Sequence, residues 1–399
     1  MSGFAESFAG CLLADPEDGA DLGPRPTVRA SGGDLVGQCK VDGRNGVQRL
    51  RDGTQVGDTH VDTHVAAVVD GLGRMLGSAG FTNSPAGNAA LIRWAEQHGT
   101  IGLVGVEGTG SYGAQLTRDL QQAGHRVIEV DRPDRKARRT RGKDDHLDAE
   151  AAARAVLSGR ASTTPKTRDG QIEAIRALRV ARRSSVFGRT AAINQLKALL
   201  LTAPAELREQ LRSLTSTQLV RTAARLRPDD DLADPLAATK YAMREIALHH
   251  QFLTDQLKRL DPHLGALVAA AAPALVARHA IGTDTAGALL VALGDNPGRL
   301  RSESSFAHLC GVAPLPASSG KTTGRHRLNR GGDRRANNAL WRIVLVRMGT
   351  DQRTKDYVTR RTAQRLSKPE IMRCLKRYVA RETYAALTHD PSRLLLDMQ

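Results

Sequence analysis

The hydrophobic pattern between residues 54 and 160 alternates between strand and helix periods. IGLVGVE (101–107) is a short continuous apolar run, which is typical of a buried strand. The next stretch upstream carries helix signals instead, because Ser84 can cap a helix that begins at Pro85 and Gly99 follows its end. Applied along the segment, these signals predict strands at 54–60, 63–70, 75–81, 101–107 and 125–131, and helices at 83–99, 111–124 and 145–157.

Three strands in a meander, followed by helix, strand, helix, strand and helix, form the order of a ribonuclease H-like fold. In such folds the first strand, a later strand end and a late helix each supply acids to one site. The pattern therefore predicts an α/β domain of this type over residues 54–160. Residues 1–53 are rich in Gly, Asp and Arg with little periodicity, and we interpret them as a disordered lead-in.

Two long helices are predicted beyond a Thr/Pro/Lys linker. The first spans 171–203, with an apolar stripe on one side and arginines on the others. The second spans about 236–260, and Pro262 is expected to end it. We interpret 161–265 as an antiparallel arm or a dimerisation element, in which His250 is a packing or register residue rather than a ligand. The seam of the second helix has the 3-4-3-4-3 spacing of a coiled coil and consists of Met243, Ile246, His250, Leu253, Leu257 and Leu260.

The last block, 266–399, is predicted to be a mainly helical C-terminal domain, with helices around 333–349 and 368–388. Residues 281–295 combine a Gly turn with a helix start, which is the shape of hairpins that hold a phosphate on backbone N–H groups. Many helix starts share this shape, so this signal alone is weak.

Charge narrows the class of partner. The chain has 58 Lys+Arg against 42 Asp+Glu, a net charge of +16 and a pI of about 10.3. This excess favours DNA or RNA as a partner over a merely solvated basic surface. Aromatic residues are only 3 %, so we expect arginines to neutralise phosphates rather than aromatic rings to stack on bases.

Cysteine usage and hydropathy indicate a cytoplasmic protein. Cys11, Cys39, Cys310 and Cys374 form no CxxC pair, which argues against a zinc ribbon and against a disulfide framework. No apolar run approaches the ~20 residues of a membrane span. Acids within residues 1–25 are unlike the basic start of a signal peptide. We expect a soluble protein with no membrane partner.

Acids at three places in the ribonuclease H-like segment indicate a metal site. Within GKDDHLDAEAAAR (142–154), Asp145 and Asp148 are three residues apart and lie on one helical face. Their charges repel unless a cation lies between them, and Mg²⁺ prefers carboxylate oxygens. Asp58 in the first strand and Glu107 at the end of IGLVGVE complete a candidate two-metal site for phosphodiester chemistry.

Each of these acids also has a plainer interpretation. Asp145 and Asp148 could complement the dipole at a helix start. Asp144 is the neighbour most easily confused with Asp145, since it forms an i,i+4 pair with Asp148. Glu107 could be a strand-end acid that faces water.

Two basic stretches are candidates for nucleic-acid contact. The segment from Ser318 to Arg335 places serines beside a Gly- and Arg-rich loop. The stretch 132–141 (RPDRKARRTR), which comes before the metal acids, is also basic. The stretch 132–141 could be a solvated face, but its position before the acids favours nucleic-acid contact. In the later loop, flexible glycines let the backbone approach phosphates that the arginines can neutralise. The candidate residues are Arg138, Arg139, Arg141, Lys143, Arg325, Arg327, Arg330, Arg334 and Arg335.

Four motifs in one order resemble those of the Asp-Glu-Asp-Asp (DEDD) insertion-sequence transposases, also called bridge-RNA-guided recombinases. These motifs are VGDTHVDTHVAAVVD, VGVEGTGSYG, RGKDDHLDAEAAARAV and CGVAPLPASSGKTTGRHRLNRGGDRRANNAL. The resemblance runs from about residue 55 to 390. It implies a RuvC-like domain of the ribonuclease H fold, followed by a C-terminal transposase domain with a catalytic serine.

The resemblance also implies a mechanism and partners. The acids Asp58, Glu107, Asp145 and Asp148 would hold Mg²⁺, with two ions expected per site. Ser319, directly before Gly320, would attack the DNA backbone to give a covalent phosphoserine intermediate. Ser318 is the neighbour most easily confused with it, and both serines could instead cap a turn. The implied partners are double-stranded donor and target DNA and a structured noncoding guide RNA. A homodimer or higher homo-oligomer through the arm could complete the site, and nucleoid association would follow.

The first strand departs from the family pattern and leaves alternatives open. Gly57 abuts Asp58 without the usual apolar residue between them, and Val61 stands where a Lys is usual. Because a one-residue slip reverses every side chain of a strand, Asp62 could be the acid instead, or this copy could be impaired. A His/Asp metal site is less favoured because DTHVDTH spans a predicted turn; it would use Asp58, His60, Asp62 and His64.

Two other functions therefore stand beside the serine transposase. A RuvC-like structure-specific nuclease would cut DNA with the acidic tetrad and never use Ser319. A non-catalytic relic would bind nucleic acid and do neither.

Overall fold

The structure, a computed structural model, divides into two compact units that join in sequence at Pro165 and Lys166. The predicted lead-in, 1–53, lies outside the described residues except for the backbone of Gly53. In the described part of the chain, no helix combines the length and the apolar character needed to cross a bilayer. The structure describes residues 53–59 (backbone alone), 62–130, 145–317, 326–327, 329 and 331–388.

A five-stranded sheet forms the centre of the first unit. Its strands are β1 (Gly53–Thr59), β2 (Thr63–Asp70), β3 (Met75–Thr82), β4 (Ile101–Glu107) and β5 (Val127–Val130). Their order in the sheet is β3-β2-β1-β4-β5. The first three strands pair antiparallel, whereas β4 runs parallel to β1 and β5 runs parallel to β4. This is the predicted meander followed by two strands that each come after a helix.

Helices cover both faces of this sheet. They are α1 (Pro85–Glu96), α2 (Ala114–Gln122) and α3 (Asp145–Leu157). The Ser84 side chain caps α1 as predicted, by accepting a hydrogen bond from the Gly87 N–H. On one face, the α3 face, Ala67, Val69, Ile128 and Val130 pack with Ala149, Ala152, Ala153 and Val156 of α3. On the opposite face, Ala66, Val104, Val106 and Val127 pack with Leu91 of α1 and with Leu116 and Leu120 of α2.

The second unit is mainly helical and also contains a short hairpin of β6 (Leu315–Pro316) and β7 (His326–Arg327). The helices predicted at 171–203, 333–349 and 368–388 are confirmed. Several shorter helices had no predicted counterpart. In order, the helices are α4 (Gln171–Thr202), α5 (Ala205–Leu211), α6 (Ser216–Ala223), α7 (Pro235–Ala271), α8 (Pro273–Val276), α9 (Thr283–Leu293), α10 (Glu303–Leu309), α11 (Arg334–Thr350), α12 (Gln352–Ala363) and α13 (Lys368–Thr388).

The long helices α4 and α7 pack side by side in opposite directions. Arg182 of α4 binds Asp261 of α7 at 2.6 Å, and three residues further along α4 the Ser185 hydroxyl donates to Gln256 at 2.7 Å. Partner numbers therefore fall along α7 as they rise along α4. This antiparallel pairing agrees with the predicted direction of the two helices.

The prediction that Pro262 ends the second long helix is wrong, because α7 continues through it to Ala271. A proline inside a helix removes one N–H hydrogen bond and costs about 3 kcal/mol. Beyond it, however, Leu264, Val268 and Ala271 are buried in the core of the unit. Full burial of a large apolar side chain stabilises by about 1.5–3 kcal/mol, so this packing offsets the cost of the proline.

Each end of the α4–α7 pair has its own core. At one end, Ile172 and Ile175 of α4 join Leu264 and Val268 of α7 in the cluster that also contains α9, α11 and α13. At the other end, α5 and α6 close a second cluster. The predicted division at residue 265 between an arm and a C-terminal domain stays a prediction, although one core extends across that position.

His250 lies on the inner side of α7, between these two clusters. Its Nδ1 is buried and makes no hydrogen bond within the described part of the chain. Burial lowers the pKa of His250, and the positive charges of Arg189 and His249 lower it further. A folded-state pKa below the unfolded value of about 6.5 means that stability is lost as the pH falls past that value, because only the unfolded chain accepts the proton readily.

We therefore expect His250→Leu to raise the Tm more at about pH 5.5 than at about pH 7.5, a range in which an ordinary histidine titrates. Thermal unfolding of the whole chain at both pH values measures this difference. The exposed His263 of the same helix provides the control, because it is not among the groups that shift the pKa of His250, so His263→Gln should leave the pH dependence nearly unchanged. Equal shifts for His250→Leu at both pH values would contradict this account of the seam.

Candidate active site

Glu107 ends β4, and only 4 % of its surface is exposed. Side chains alternate between the faces of a sheet along each strand. Val104 and Val106 pack on the face covered by α1 and α2, whereas Leu103 packs on the α3 face. Glu107 shares the alternation of Leu103, so its carboxylate lies on the side of the sheet that α3 covers.

Asp148 lies in the first turn of α3 and is 6 % exposed. It belongs to the same buried stripe as Ala149 and Ala152, which packs on the sheet. Asp145, one turn earlier, is half-buried. The predicted helix at 145–157 is thus confirmed, and Asp148 lies between α3 and the sheet, on the side to which Glu107 is directed.

Strand register places Asp58 on the same face. Its backbone pairs with that of Val65, and Val65 packs against the α3-face cluster. Gln55 pairs with Val104 in the parallel ladder, and Asp58 and Glu107 each follow three residues later, so the two positions lie at the same level of adjacent strands. The Asp58 side chain itself lies outside the described residues.

The alternatives for the first strand fall elsewhere. Asp62 is exposed in the bend that precedes β2, so it is not part of β1. His64 is fully buried and pairs with Phe81, which packs on the face opposite to α3. His64 therefore lies on the other side of the sheet from Glu107. His60 lies outside the described residues.

The donor set suits a hard cation, because it consists of carboxylates alone. Burial of Glu107 and Asp148 also costs free energy unless positive charge or hydrogen-bond donors offset it, and a divalent ion is one such group. Among the side chains that the structure describes, however, no group of three or more His, Cys, Asp and Glu residues is arranged to hold a metal ion. Closure of the predicted tetrad around Mg²⁺ therefore stays a prediction that involves Asp58.

Polar contacts anchor α3 above the sheet at both ends. Near its start, the Ser78 hydroxyl of β3 is 2.6 Å from Nδ1 of His146. Near its end, the Arg154 guanidinium donates to the carbonyl of Gly73 at 3.1 Å. Sequence reasoning missed Ser78 and His146 as positioning residues, because neither belongs to a periodic pattern. They hold the helix that carries Asp145 and Asp148.

The predicted nucleophile Ser319 lies in the connection between β6 and β7, outside the described residues. Arg327 pairs with Leu315 at the base of this hairpin and is exposed, as are Arg334 and Arg335 at the start of α11. These exposed guanidinium groups are accessible to a polyanion. The other predicted phosphate-binding residues lie outside the described residues: Arg138, Arg139, Arg141, Lys143, Arg325 and Arg330.

A hydrogen-bond network supports the base of the β6–β7 hairpin. The Asn337 amide of α11 donates to the carbonyl of Cys310 at 2.8 Å, directly after α10. Lys376 of α13 donates to the Asn337 Oδ1 at 2.8 Å, and burial lowers the pKa of this lysine. The backbone N–H of Asp333, the residue that caps α11, donates to the Leu309 carbonyl at 2.6 Å. Asn337 lies in the quoted motif, but no sequence signal connected it to Lys376.

Gly332 is required where α10 and α11 meet. Its φ is +93°, and a Cβ there would lie 2.6 Å from the Leu309 carbonyl oxygen and 2.7 Å from the Gly311 nitrogen. We expect Gly332→Ala to lower the free energy of unfolding by about 1–3 kcal/mol, the cost of a strained backbone residue. Urea unfolding of the variant measures this change.

Gly349 provides the matched control, because it lies within α11 and a Cβ there would meet nothing within 4 Å. Gly349→Ala should be neutral or stabilising by up to about 1 kcal/mol, since Ala favours the helix more than Gly does. A Gly332→Ala protein as stable as wild type would contradict the close approach of the two helix ends.

The predicted phosphate-binding turn before α9 already carries a carboxylate. Gly282 caps this helix, and Asp284 lies in its first turn. The Asp284 side chain binds Arg179 and Arg342, each at 2.8 Å. The Asp284 carboxylate thus joins α9 to α4 and α11 through two guanidinium groups, and phosphate binding at this turn stays a prediction.

Two family models match the chain. Residues 57–204 match the model of the DEDD transposases of IS110, and residues 273–359 match that of transposases of the IS116/IS110/IS902 family. Together they cover more than half of the chain. The first match contains all four predicted metal acids, and the second contains Ser319. No curated protein matches the chain.

Proposed function

We propose, because the chain belongs to the IS110 family of DEDD transposases, that this DNA transposase of an insertion sequence acts through a phosphoserine intermediate on Ser319. The acids Asp58, Glu107, Asp145 and Asp148 would hold two Mg²⁺ ions for this reaction. The observation that carries the proposal is the burial of Glu107 and Asp148 on the α3 face, and the backbone pairing of Asp58 with Val65 supports it.

The chemistry follows from these residue types. Magnesium, when bound, supplies positive charge that stabilises the phosphoryl oxygens as a fifth oxygen approaches phosphorus. A serine hydroxyl is a weak nucleophile until a neighbouring base or metal takes up its proton. The Ser319 Oγ would form a bond to phosphorus, and its proton would pass to a tetrad carboxylate or to water. The bond from phosphorus to one DNA strand oxygen would break, and that oxygen would take up a proton from water and leave as a DNA hydroxyl.

The phosphoserine ester accounts for rejoining without an external energy source. One phosphate ester replaces another, so the link to Ser319 conserves the free energy of the broken phosphodiester. That free energy is then available when a new strand is joined. A DNA hydroxyl that attacks this phosphorus would restore the phosphodiester and return the proton to the serine oxygen. Simple hydrolysis by water, as in the tetrad-only nuclease, would lose that link.

We also propose duplex DNA and a structured guide RNA as partners. The net charge of +16 and the exposed Arg327, Arg334 and Arg335 support polyanion binding. The test combines the full chain, labelled donor and target DNA, Mg²⁺ and RNA transcribed from the DNA that flanks the gene, followed by a denaturing gel. A covalent adduct supports the serine mechanism, cutting without an adduct supports the tetrad-only nuclease, and neither product supports the relic.

A homodimer through the α4–α7 pair completes the proposal. The outward side of each helix carries large exposed side chains at helical spacing, and Phe187 and Phe252 are 53 % and 58 % exposed. A second copy would bury these stripes and gain hydrophobic stabilisation. The exposed side chains are Val180, Phe187 and Leu201 on α4 and Tyr241, Leu248 and Phe252 on α7.

We expect the double variant Phe187→Ser with Phe252→Ser to shift the chain from dimer towards monomer, because both stripes lose their largest apolar side chains. Light scattering coupled to size exclusion measures this shift. Val346→Ser on α11 removes a comparably exposed apolar residue and should leave the dimer intact. A double variant that dimerises as wild type does would exclude these stripes as the interface.

A further inference from the structure

A basic cavity lies at the end of the α4–α7 pair that α5 and α6 close. Its volume is about 440 Å³. Four cationic side chains and two neutral polar ones form most of its lining. They are Arg221, Arg225, Arg227, Lys240, Gln210 and Thr222.

The local fold fixes the cations around this cavity. Thr215 and Gln218 form a capping box that begins α6, which places Arg221 in the last turn of that helix. Leu226 lines the cavity too, and it packs against the core cluster beneath. Because Leu226 packs the segment between α6 and α7 against this core, its neighbours Arg225 and Arg227 remain exposed on either side.

Close ion pairs within the chain leave most of these cations unmatched, although Asp229, Asp230 and Asp231 follow within four residues of Arg227. Lys240 is 3.9 Å from Asp229, whose side chain is 79 % exposed, and such a surface pair contributes little. Within the described part of the chain, no carboxylate lies within 4 Å of Arg221, Arg225 or Arg227. Like charges around one cavity repel each other, so an external anion there would stabilise the fold.

The lining indicates the class of anion. Sites for small organic ligands are lined mainly by apolar side chains, whereas Leu226 is the only apolar residue in this lining. Guanidinium groups match the geometry of phosphate oxygens, and the Gln210 and Thr222 side chains add neutral donors. The cavity residues lie between the two matched segments, which end at 204 and begin at 273, so they belong to neither the acids nor the serine segment.

We infer that this cavity binds phosphates of a nucleic-acid backbone and thereby anchors DNA or RNA at the end of the helix pair. The inference rests on the proposed function in one respect, namely that the polyanion that the protein binds is a nucleic acid. The backbone phosphate is common to both polymers, so the experiment distinguishes them.

The test measures binding of the full chain to a duplex DNA and to a folded RNA hairpin, each of arbitrary sequence, by fluorescence anisotropy over a range of NaCl concentrations. The cavity variant is Arg221→Gln, Arg225→Gln and Arg227→Gln. The control variant is Arg208→Gln, Arg212→Gln and Arg244→Gln, which removes the same amount of positive charge. Arg208 and Arg212 pair with Glu209, and Arg244 pairs with Glu245.

We expect the cavity variant to bind at least one of the two polymers about tenfold more weakly, and the control variant to stay close to wild type. The salt slope of the cavity variant should be smaller by about 0.9 for each duplex phosphate that it no longer neutralises. The polymer that is affected identifies the ligand. Equal binding by all three proteins, or equal weakening in both variants, would overturn the inference.

The single variant Arg225→Gln covers the case in which the triple variant folds poorly. Its Tm checks that it is folded, and it should weaken binding in the same direction. Unchanged binding by it would also overturn the inference.

Failure of this inference and failure of the proposed function give different results. A wild-type chain that forms the covalent adduct while the cavity variant binds normally overturns the cavity alone. A cavity variant with weakened binding, in a protein that forms no adduct, supports the cavity and removes the serine mechanism.

Discussion

Replacement of Ser319 by alanine is expected to abolish the covalent protein–DNA adduct and to slow strand rejoining by at least about 10³-fold, the scale of loss when a nucleophile is removed. The hydroxyl oxygen forms the only bond that links protein and phosphate in the proposed reaction, so no other group replaces it. DNA binding should be unchanged, because a hydroxyl contributes little to a charge-dominated interface. Adduct on a denaturing gel and binding by anisotropy measure the two effects separately.

Ser318→Ala is the matched control, since it removes an identical hydroxyl one residue earlier. It should retain the adduct. An adduct that survives in Ser319→Ala but disappears in Ser318→Ala would move the nucleophile by one residue. DNA cutting at wild-type rate in Ser319→Ala, without any adduct, would favour the tetrad-only nuclease instead.

Asp148→Asn should reduce the Mg²⁺-dependent reaction by at least about 10³-fold, because a neutral amide neither attracts a divalent cation as a carboxylate does nor accepts a proton. Asn has almost the same shape, so α3 should still pack on the sheet. Without metal, the variant should be as stable as wild type or more so, since it no longer buries a carboxylate.

Added Mg²⁺ separates a metal ligand from a structural acid in this variant. Ligand binding to the folded state stabilises it by about 2.7 kcal/mol at a concentration 100 times the Kd, so Mg²⁺ should raise the Tm of wild type. The same addition should leave the Tm of Asp148→Asn nearly unchanged, and Glu107→Gln should behave alike. Asp62→Asn is the control, because Asp62 is exposed in the bend before β2. Loss of the Mg²⁺ response in Asp62→Asn alone would favour the shifted register of the first strand.

Local sequence signals predicted the elements that depend on local chemistry. The helix over 145–157 and the Ser84 cap agree with the structure because periodicity and capping are properties of neighbouring residues. The helix end predicted at Pro262 is wrong for the opposite reason. Leu264 and Val268 pack against residues far away in sequence, and this burial keeps α7 helical beyond the proline. Tertiary packing of this kind leaves no local mark.

In the candidate site, too, some features follow from local sequence and others only from tertiary structure. Sequence reasoning selected Glu107 and Asp148 as candidates, whereas only strand register shows that position 58 lies opposite Val65, on the face that Glu107 shares. The link between Asn337 and Lys376 joins residues 39 positions apart through a single hydrogen bond, which no motif of one segment encodes. The basic cavity likewise depends on how α6 and α7 meet.

The most direct test of the serine mechanism is mass spectrometry of the adduct trapped from the full chain with DNA and Mg²⁺. After trypsin digestion and nuclease treatment, the account predicts a nucleotide attached within the peptide 302–321, with fragmentation that localises it to Ser319. Omission of Mg²⁺ should remove the modified peptide. A nucleotide on any other residue, or DNA strands that are cut and rejoined with no modified peptide at all, would contradict the account.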